Sequence, residues 1–339
     1  MKATVMGAGS WGTTFAQVLA DAGTSTTVWA RDPAIADAIN SAHENPRYLP
    51  GIPLSSSLNA EHDPAAALSG ADLVVLAVPA QTLRACLAAW EPAIPREALL
   101  VSLMKGIELG SCKRMSEVIM EVLDAPPARV AVVSGPNLAR EIAERQIAAT
   151  VVACPDEAAA RRLQTACHAP YLRPYWNTDV IGCELGGTVK NIIALAIGIA
   201  IALGQGDNTK ATLITRGLAE MARLGDVMGA DPRTFAGLAG MGDLVATCGS
   251  ALSRNRRFGQ FLGQGMTTEQ ALSATAQTVE AVTSYAPVLE LARKHGVEMP
   301  ITEVVAAVIA GRLPVSEVAT VLASRSAKPE WYGPEASGS

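Results

Sequence analysis

The chain has 339 residues, 49% of them hydrophobic and only 4% aromatic, with a formal net charge of −5. That length allows two domains, each with a real core. The acidic balance and the lack of a basic tail argue against a general nucleic-acid binder, and they leave any anionic ligand to be met by individual Lys and Arg residues.

The first predicted element is the β-type run Lys2-Ala3-Thr4-Val5-Met6. It turns through Gly7-Ala8-Gly9-Ser10-Trp11-Gly12 into a helix-forming stretch, Thr13 to Ala20. Strand, GxGxxG and helix in that order mark a dinucleotide site. Gly7 makes the tight turn, Gly9 lets the backbone approach a pyrophosphate, and Gly12 lets the helix pack on the strand. The helix N-terminus adds N–H groups and partial positive charge. A strand starting at Lys2 leaves no room for a signal peptide, so a cytoplasmic protein is expected.

A second strand, Thr26 to Ala30, is followed by Arg31-Asp32-Pro33 and a helical pattern from Pro33 to Asn40. NAD sites carry an acidic ribose ligand at this strand end. Asp32 fits that role by distance, but Asp before Pro is also a standard helix start, and that reading is preferred. Arg31 then faces the adenine ribose and can receive a 2′-phosphate, so NADP(H) is the expected cofactor with NAD(H) tolerated.

Further apolar runs follow at Leu73–Val78, Leu99–Leu103, Val130–Val133 and Thr150–Val152, with a helical pattern from Gln81 to Trp90 among them. The alternation predicts a Rossmann-like, doubly wound parallel sheet buried on both faces. Lys105 and Gly135-Pro136-Asn137 fall just after strands, on the carboxyl edge where open α/β sheets bind ligands. From about Asp179 strand signals nearly vanish, and helical periodicity runs through Gly187–Leu224, Thr278–His295 and Ile301–Ala310. The expected organisation is therefore a dinucleotide-binding α/β domain over 1–178, an all-α C-terminal domain over 179–325, and a disordered tail over 326–339. The apolar run Ile192 to Leu203 is too short to span a bilayer, and no transmembrane segment is expected.

Hydride transfer to a carbonyl needs a proton donor near the oxygen. His43, His62, His168 and His295 all sit in loop-like or helix-end contexts with no evident Asp partner in sequence. Lysine can serve when desolvation or neighbouring cations lower its pKa. Lys190, in Gly186-Gly187-Thr188-Val189-Lys190-Asn191, starts an otherwise apolar helix where the sheet domain gives way to the helical one. On local sequence, catalysis and a Lys snorkelling from a helix end are equally good readings. Asp243 stands between glycines in Gly240-Met241-Gly242-Asp243. Ser253-Arg254-Asn255 begins a basic helix with Ser as N-cap, a cradle for phosphate. Arg256 and Arg257 read as a solvated face. Together these imply a small anionic substrate. Cys86, Cys112, Cys154, Cys167, Cys183 and Cys248 form no CxxC, no metal-ligand spacing exists, and free thiols are expected.

These motifs, with Asn45-Pro46-Arg47-Tyr48-Leu49-Pro50-Gly51, Lys105-Gly106-Ile107-Glu108 and Glu184-Leu185, resemble the bacterial type of the NAD(P)-dependent glycerol-3-phosphate dehydrogenase family from Lys2 to about Ala323. The resemblance implies reversible reduction of dihydroxyacetone phosphate, a phosphorylated triose, to sn-glycerol 3-phosphate for glycerophospholipid synthesis. It implies Lys190 as general acid/base and a homodimer. Substrate contacts are implied for Lys105, Gly135, Asn137, Lys190, Asp243, Ser253, Arg254 and Asn255. Cofactor contacts are implied for Gly7, Gly9, Ser10, Trp11, Gly12, Arg31, Tyr48, Lys105, Ala139, Arg254, Val279 and Glu280. Two departures are Asn137, where many relatives have Ser or Thr, and Thr278-Val279-Glu280-Ala281 in place of Ala-Glu-Gly. A 3-hydroxyacid dehydrogenase is the nearest rival, but it expects Asn four residues after the lysine, where this chain has Ala194. A non-catalytic dinucleotide-binding redox sensor would leave Lys190, Asp243 and Arg254 without a role.

Overall fold

The computed structural model describes residues 1–275, 278–324 and 329–330. The expected tail, 326–339, lies outside the described residues except for Pro329 and Glu330. The chain divides into two compact units. The first comprises Met1–Lys105 and Lys113–Glu184, and the second Gly106–Cys112 and the chain from Leu185 onward.

The first unit is built on an eight-stranded sheet. Its strands are β1 (Lys2–Met6), β2 (Ser25–Trp29), β3 (Leu58–Glu61), β4 (Leu73–Leu76), β5 (Leu99–Ser102), β6 (Val130–Ser134), β7 (Ala148–Ala153) and β8 (Leu172–Asn177). They lie in the order β3-β2-β1-β4-β5-β6-β7-β8. The first six are mutually parallel, whereas β7 runs antiparallel to β6 and β8 parallel to β7. Alternate residues feed two apolar layers, with Val5, Leu73, Val75 and Val101 in one and Met6, Val74, Leu76 and Leu100 in the other. That two-sided burial explains the unbroken apolar runs of the central strands. The strand order reverses between β1 and β4, the switch point where such sheets bind ligands.

Two strands escaped the sequence reading, and both are at edges. β3 reads Leu-Asn-Ala-Glu, and β8 carries Pro174 with exposed Arg173 and Tyr175. Edge strands need only one partner and one buried face, so they lack a continuous apolar run and tolerate proline.

The described residues of the second unit form helices, turns and loops, with an isolated β-bridge at Ile107. The apolar run expected at Ile192–Leu203 is part of a 23-residue helix, Val180–Ala202. By length and composition this helix could cross a membrane, so shortness is not what argues against a span. Its burial is: residues 182–200 are all buried. His295 is the C-cap of the Glu280–Lys294 helix, with Gly296 following at φ +68°.

One buried acid ties two helices of this unit together. Glu220, on the Asp207–Val227 helix, accepts from the N–H groups of Ile301 (2.7 Å) and Thr302 (3.3 Å) at the start of the Pro300–Ile309 helix. Burial pushes its carboxyl up to about 7 from the usual 4.5, against the pull of those N–H donors and Arg223. A carboxyl raised by folding holds its proton more tightly in the folded chain. Its contribution to stability is therefore lost as pH rises from 4.5 to about 7. Urea unfolding of wild type and Glu220→Gln at pH 5 and pH 8 should show wild type losing on the order of 2 kcal/mol more than the variant. Equal losses in both would show that Glu220 does not titrate in this range.

Candidate active site

The fingerprint sits at the carboxyl end of β1. Gly7 leaves the strand at φ +133° with its N–H donating to the Trp29 carbonyl at 3.2 Å. A Cβ on Gly7 would overlap the Ala77 carbonyl oxygen, and one on Gly12 would overlap the Gly7 carbonyl oxygen. A Cβ on Gly9 would meet nothing within 4 Å. The Ser10–Asp21 helix starts beside that open face with extended Gly9 as N-cap, no side-chain capping bond and no acid in its first turn. Trp11 Nε1 is buried without a hydrogen-bond partner among the described residues. An uncapped, acid-free helix start behind an open glycine fits a dinucleotide phosphate.

Asn45 docks the following loop on the fingerprint. Its Nδ2 donates to the Ala8 carbonyl and Thr13 Oγ1, both at 2.9 Å, while its Oδ1 accepts from the Tyr48 N–H. Ser10 Oγ donates to the Tyr48 carbonyl at 3.1 Å, and Thr14 Oγ1 donates to the Ala139 carbonyl at 3.1 Å. The structure thus gathers Ser10, Trp11, Tyr48 and Ala139 around one helix start. Arg31 is exposed two residues past β2. Asp32 is the N-cap of the Pro33–Ala42 helix and accepts from the Ala34 N–H at 3.1 Å, which supports the cap reading. On the same edge of the sheet, Lys105 Nζ donates to the Gly135 carbonyl at 3.1 Å.

In the second unit the Val180–Ala202 helix approaches a π-helical turn, Leu238–Gly242, at a position that excludes any side chain. A Cβ on Gly186 would overlap the Ala239 carbonyl oxygen. Lys190 lies one helical turn further, on the same face as Gly186. Asp243 begins the Asp243–Gly249 helix that follows the π-turn. Lys190 Nζ donates to Asp243 Oδ1 at 2.5 Å and to Thr247 Oγ1 at 2.6 Å, and Thr247 Oγ1 in turn donates to Asp243 Oδ1 at 3.2 Å. All three residues are at most 6% exposed. This is a positioned ammonium with a buried counter-charge, and a snorkelling lysine would not show it.

Beside it, Asn191 Nδ2 donates to Glu280 Oε2 at 2.9 Å and its Oδ1 accepts from Asn255 Nδ2 at 2.9 Å. Asn255 Oδ1 accepts from the Ala281 N–H at 3.0 Å, next to buried Val279, the N-cap of the Glu280–Lys294 helix. Ser253 caps the Arg254–Gly263 helix, its Oγ accepting from the Arg256 N–H at 3.3 Å. Arg254 and Arg257 are exposed. Arg256 is not simply solvated, since it donates to the Gly249 carbonyl. None of the four histidines is placed by a hydrogen bond into either cluster, and no metal-binding group of His, Cys, Asp and Glu occurs among the described residues.

Sequence reasoning gave no role to Thr247, Asn191 or Asn45. Thr247 had a signal, four residues after Asp243 on one helix face. Asn191 and Asn45 stood inside quoted motifs, but their partners lie 89 and 37 residues away in the chain, which no local pattern shows.

Family models described as the NAD-dependent glycerol-3-phosphate dehydrogenase N-terminus and C-terminus match residues 2–160 and 179–320. The chain is 62% identical to "Glycerol-3-phosphate dehydrogenase [NAD(P)+]" of Thermobifida fusca over 98% of this chain and 99% of that one. It is 61% identical to the protein of that name in Streptomyces griseus, over 97% and 98%. A crystal structure of glycerol-3-phosphate dehydrogenase from Coxiella burnetii superposes with a TM-score of 0.90 at 37% identity, covering 96% of this chain and 99% of that one.

Proposed function

The chain belongs to the NAD-dependent glycerol-3-phosphate dehydrogenase family, and from that premise we propose how its own residues carry the reaction. It is an NAD(P)-dependent oxidoreductase that reduces dihydroxyacetone phosphate to sn-glycerol 3-phosphate. The observation that carries the residue-level reading is the buried Lys190–Asp243–Thr247 cluster.

Bound NAD(P)H supplies the hydride. Gly7, Gly9, Ser10, Trp11 and Gly12 would hold its pyrophosphate at the helix start, and the family resemblance supports Tyr48, Lys105, Ala139, Arg254, Val279 and Glu280 as further contacts. The substrate phosphate is held at the helix start capped by Ser253, by the first-turn N–H groups of Arg254 and Asn255 and by the Arg254 guanidinium. Lys105, Gly135 and Asn137 orient the rest of the substrate. Lys190 Nζ gives its proton to the carbonyl oxygen as the alkoxide develops, and takes it back in the reverse direction. Asp243 balances the ammonium charge and, with Thr247, fixes its direction. Holding the substrate at both ends supplies much of the rate, since near-attack geometry is worth roughly 7–11 kcal/mol. The same family resemblance supports a cytoplasmic homodimer.

Arg31 sets a preference for NADPH by pairing with the 2′-phosphate. The test follows cofactor absorbance with dihydroxyacetone phosphate, dihydroxyacetone and a 3-oxo acid. Turnover is expected with the phosphorylated triose, faster with NADPH than with NADH. Arg31→Ala should cut kcat/KM for NADPH about tenfold and leave NADH unchanged, as loss of one charge-assisted pair predicts. Equal efficiency with both cofactors before and after the substitution would remove Arg31 from this role. Turnover of the 3-oxo acid but not of the triose phosphate would overturn the substrate.

A further inference from the structure

Thr150, on β7, is completely buried. A threonine hydroxyl has one proton to donate and two lone pairs to accept with. Thr150 Oγ1 donates to the Ser134 carbonyl at 2.9 Å, and Asn137 Nδ2 lies 3.1 Å from the same oxygen. With its proton committed to Ser134, Thr150 can only accept at Asn137. That fixes the amide of Asn137: the NH2 faces Thr150 and Oδ1 is turned the other way. Oδ1 is buried and has no hydrogen-bond partner among the described residues.

The turn beneath the amide is equally determined. Gly135 stands at φ +136°, and a Cβ there would come within 3.3 Å of Thr150 Cα. Its carbonyl accepts from the Asn137 N–H at 2.7 Å and from Lys105 Nζ at 3.1 Å. Strand β7 thus carries a buried hydroxyl under a rigid turn, and that hydroxyl decides which amide atom is presented.

We propose that Thr150 is a positioning residue that aims Asn137 Oδ1 at the free hydroxyl of the substrate, making Asn137 the reader of that group. This rests on the reading of Asn137 as a substrate residue. Dihydroxyacetone phosphate offers a phosphate and a ketone oxygen, which only accept, and one hydroxyl, which can donate. A buried amide oxygen needs a donor, so among the substrate's groups the hydroxyl alone satisfies it. A site built to bond a hydroxyl discriminates strongly against an analogue that lacks it, because the site's own polar atom is then left unpaired. Nothing in the sequence pointed to Thr150, which is separated from Asn137 by 13 residues and a short helix.

The test compares kcat/KM for dihydroxyacetone phosphate with that for 2-oxopropyl phosphate, the same ketone phosphate without its hydroxyl. Thr150→Val is expected to lower this ratio about fivefold, the size of one neutral hydrogen bond, by slowing the natural substrate alone. Thr150→Ser should restore it. Asn137→Ala should lower it at least as far, and adding Thr150→Val should lower it no further. If Thr150→Val does not yield soluble enzyme, Thr150→Ala serves in the same comparison. A ratio unchanged in Thr150→Val while Asn137→Ala lowers it would overturn the role of Thr150, as would an equal loss on both substrates. Wild-type kcat/KM for both substrates in Asn137→Ala would instead remove Asn137 from the substrate site, and the underlying reading would fail first.

Discussion

Lys190→Ala is expected to lower kcat by about 10³, within the range that a positioned general acid contributes, while affinity for the cofactor changes little. The same substitution carries a structural cost that must be separated from the chemistry. Asp243 is 1% exposed, and removing Lys190 takes the ammonium away from that buried charge. Breaking such a pair costs about 3–5 kcal/mol, enough to lower the unfolding midpoint by many degrees. A second variant resolves the two effects. Lys190→Ala with Asp243→Asn removes both charges, so stability should return most of the way while turnover stays lost. Thermal melts and single-turnover rates of the three proteins give the answer. Turnover near wild type in Lys190→Ala would remove the lysine from the chemistry. Turnover that returned with stability in the double variant would show that its role is only to neutralise Asp243.

How much of this was legible in the chain follows from which forces act locally. The strand–glycine–helix opening was readable because each part is set by near neighbours: the β-type apolar run of β1, backbone space at Gly7 and Gly12, a helix start at Ser10. The caps at Asp32 and Ser253 were readable for the same reason, since a cap and its N–H donor are two or three residues apart. The edge strands β3 and β8 were not, because an edge carries no continuous apolar run. The first turns of the Val180–Ala202 helix were hidden because Glu184 interrupts its apolar pattern, and Lys190 is a second charge inside it. The structure shows both charges buried against partners far away in sequence, Glu184 with Arg114 at 2.6 Å and Lys190 with Asp243. A buried charge with a distant partner looks in sequence like a solvent-facing residue. That is why Lys190 reads in sequence evenly between catalysis and snorkelling, and why Asn191 and Thr150 carry no usable local signal.

Arg254→Ala is expected to lower kcat/KM for dihydroxyacetone phosphate by roughly 10²–10³, the loss of a charge-assisted, two-pronged contact with a phosphate. The phosphate takes no part in bond making, so its binding energy serves to place the carbonyl at the reacting groups, and its loss should fall on kcat as well as on KM. The diagnostic comparison is with unphosphorylated dihydroxyacetone. Wild type should turn this over poorly, and Arg254→Ala should turn it over no worse, because the guanidinium has nothing to hold. Arg257 provides the internal control, three residues along the same helix and also exposed. If general positive charge near the helix attracted the substrate, Arg257→Ala would cost as much as Arg254→Ala, and both losses would shrink together as salt screened them. A specific contact predicts that Arg257→Ala stays within about twofold of wild type at every salt concentration. Equal losses on the phosphorylated and unphosphorylated substrates in Arg254→Ala would mean that the arginine acts on something other than the phosphate. The Ser253-capped helix start would then have to hold the phosphate with its N–H groups alone.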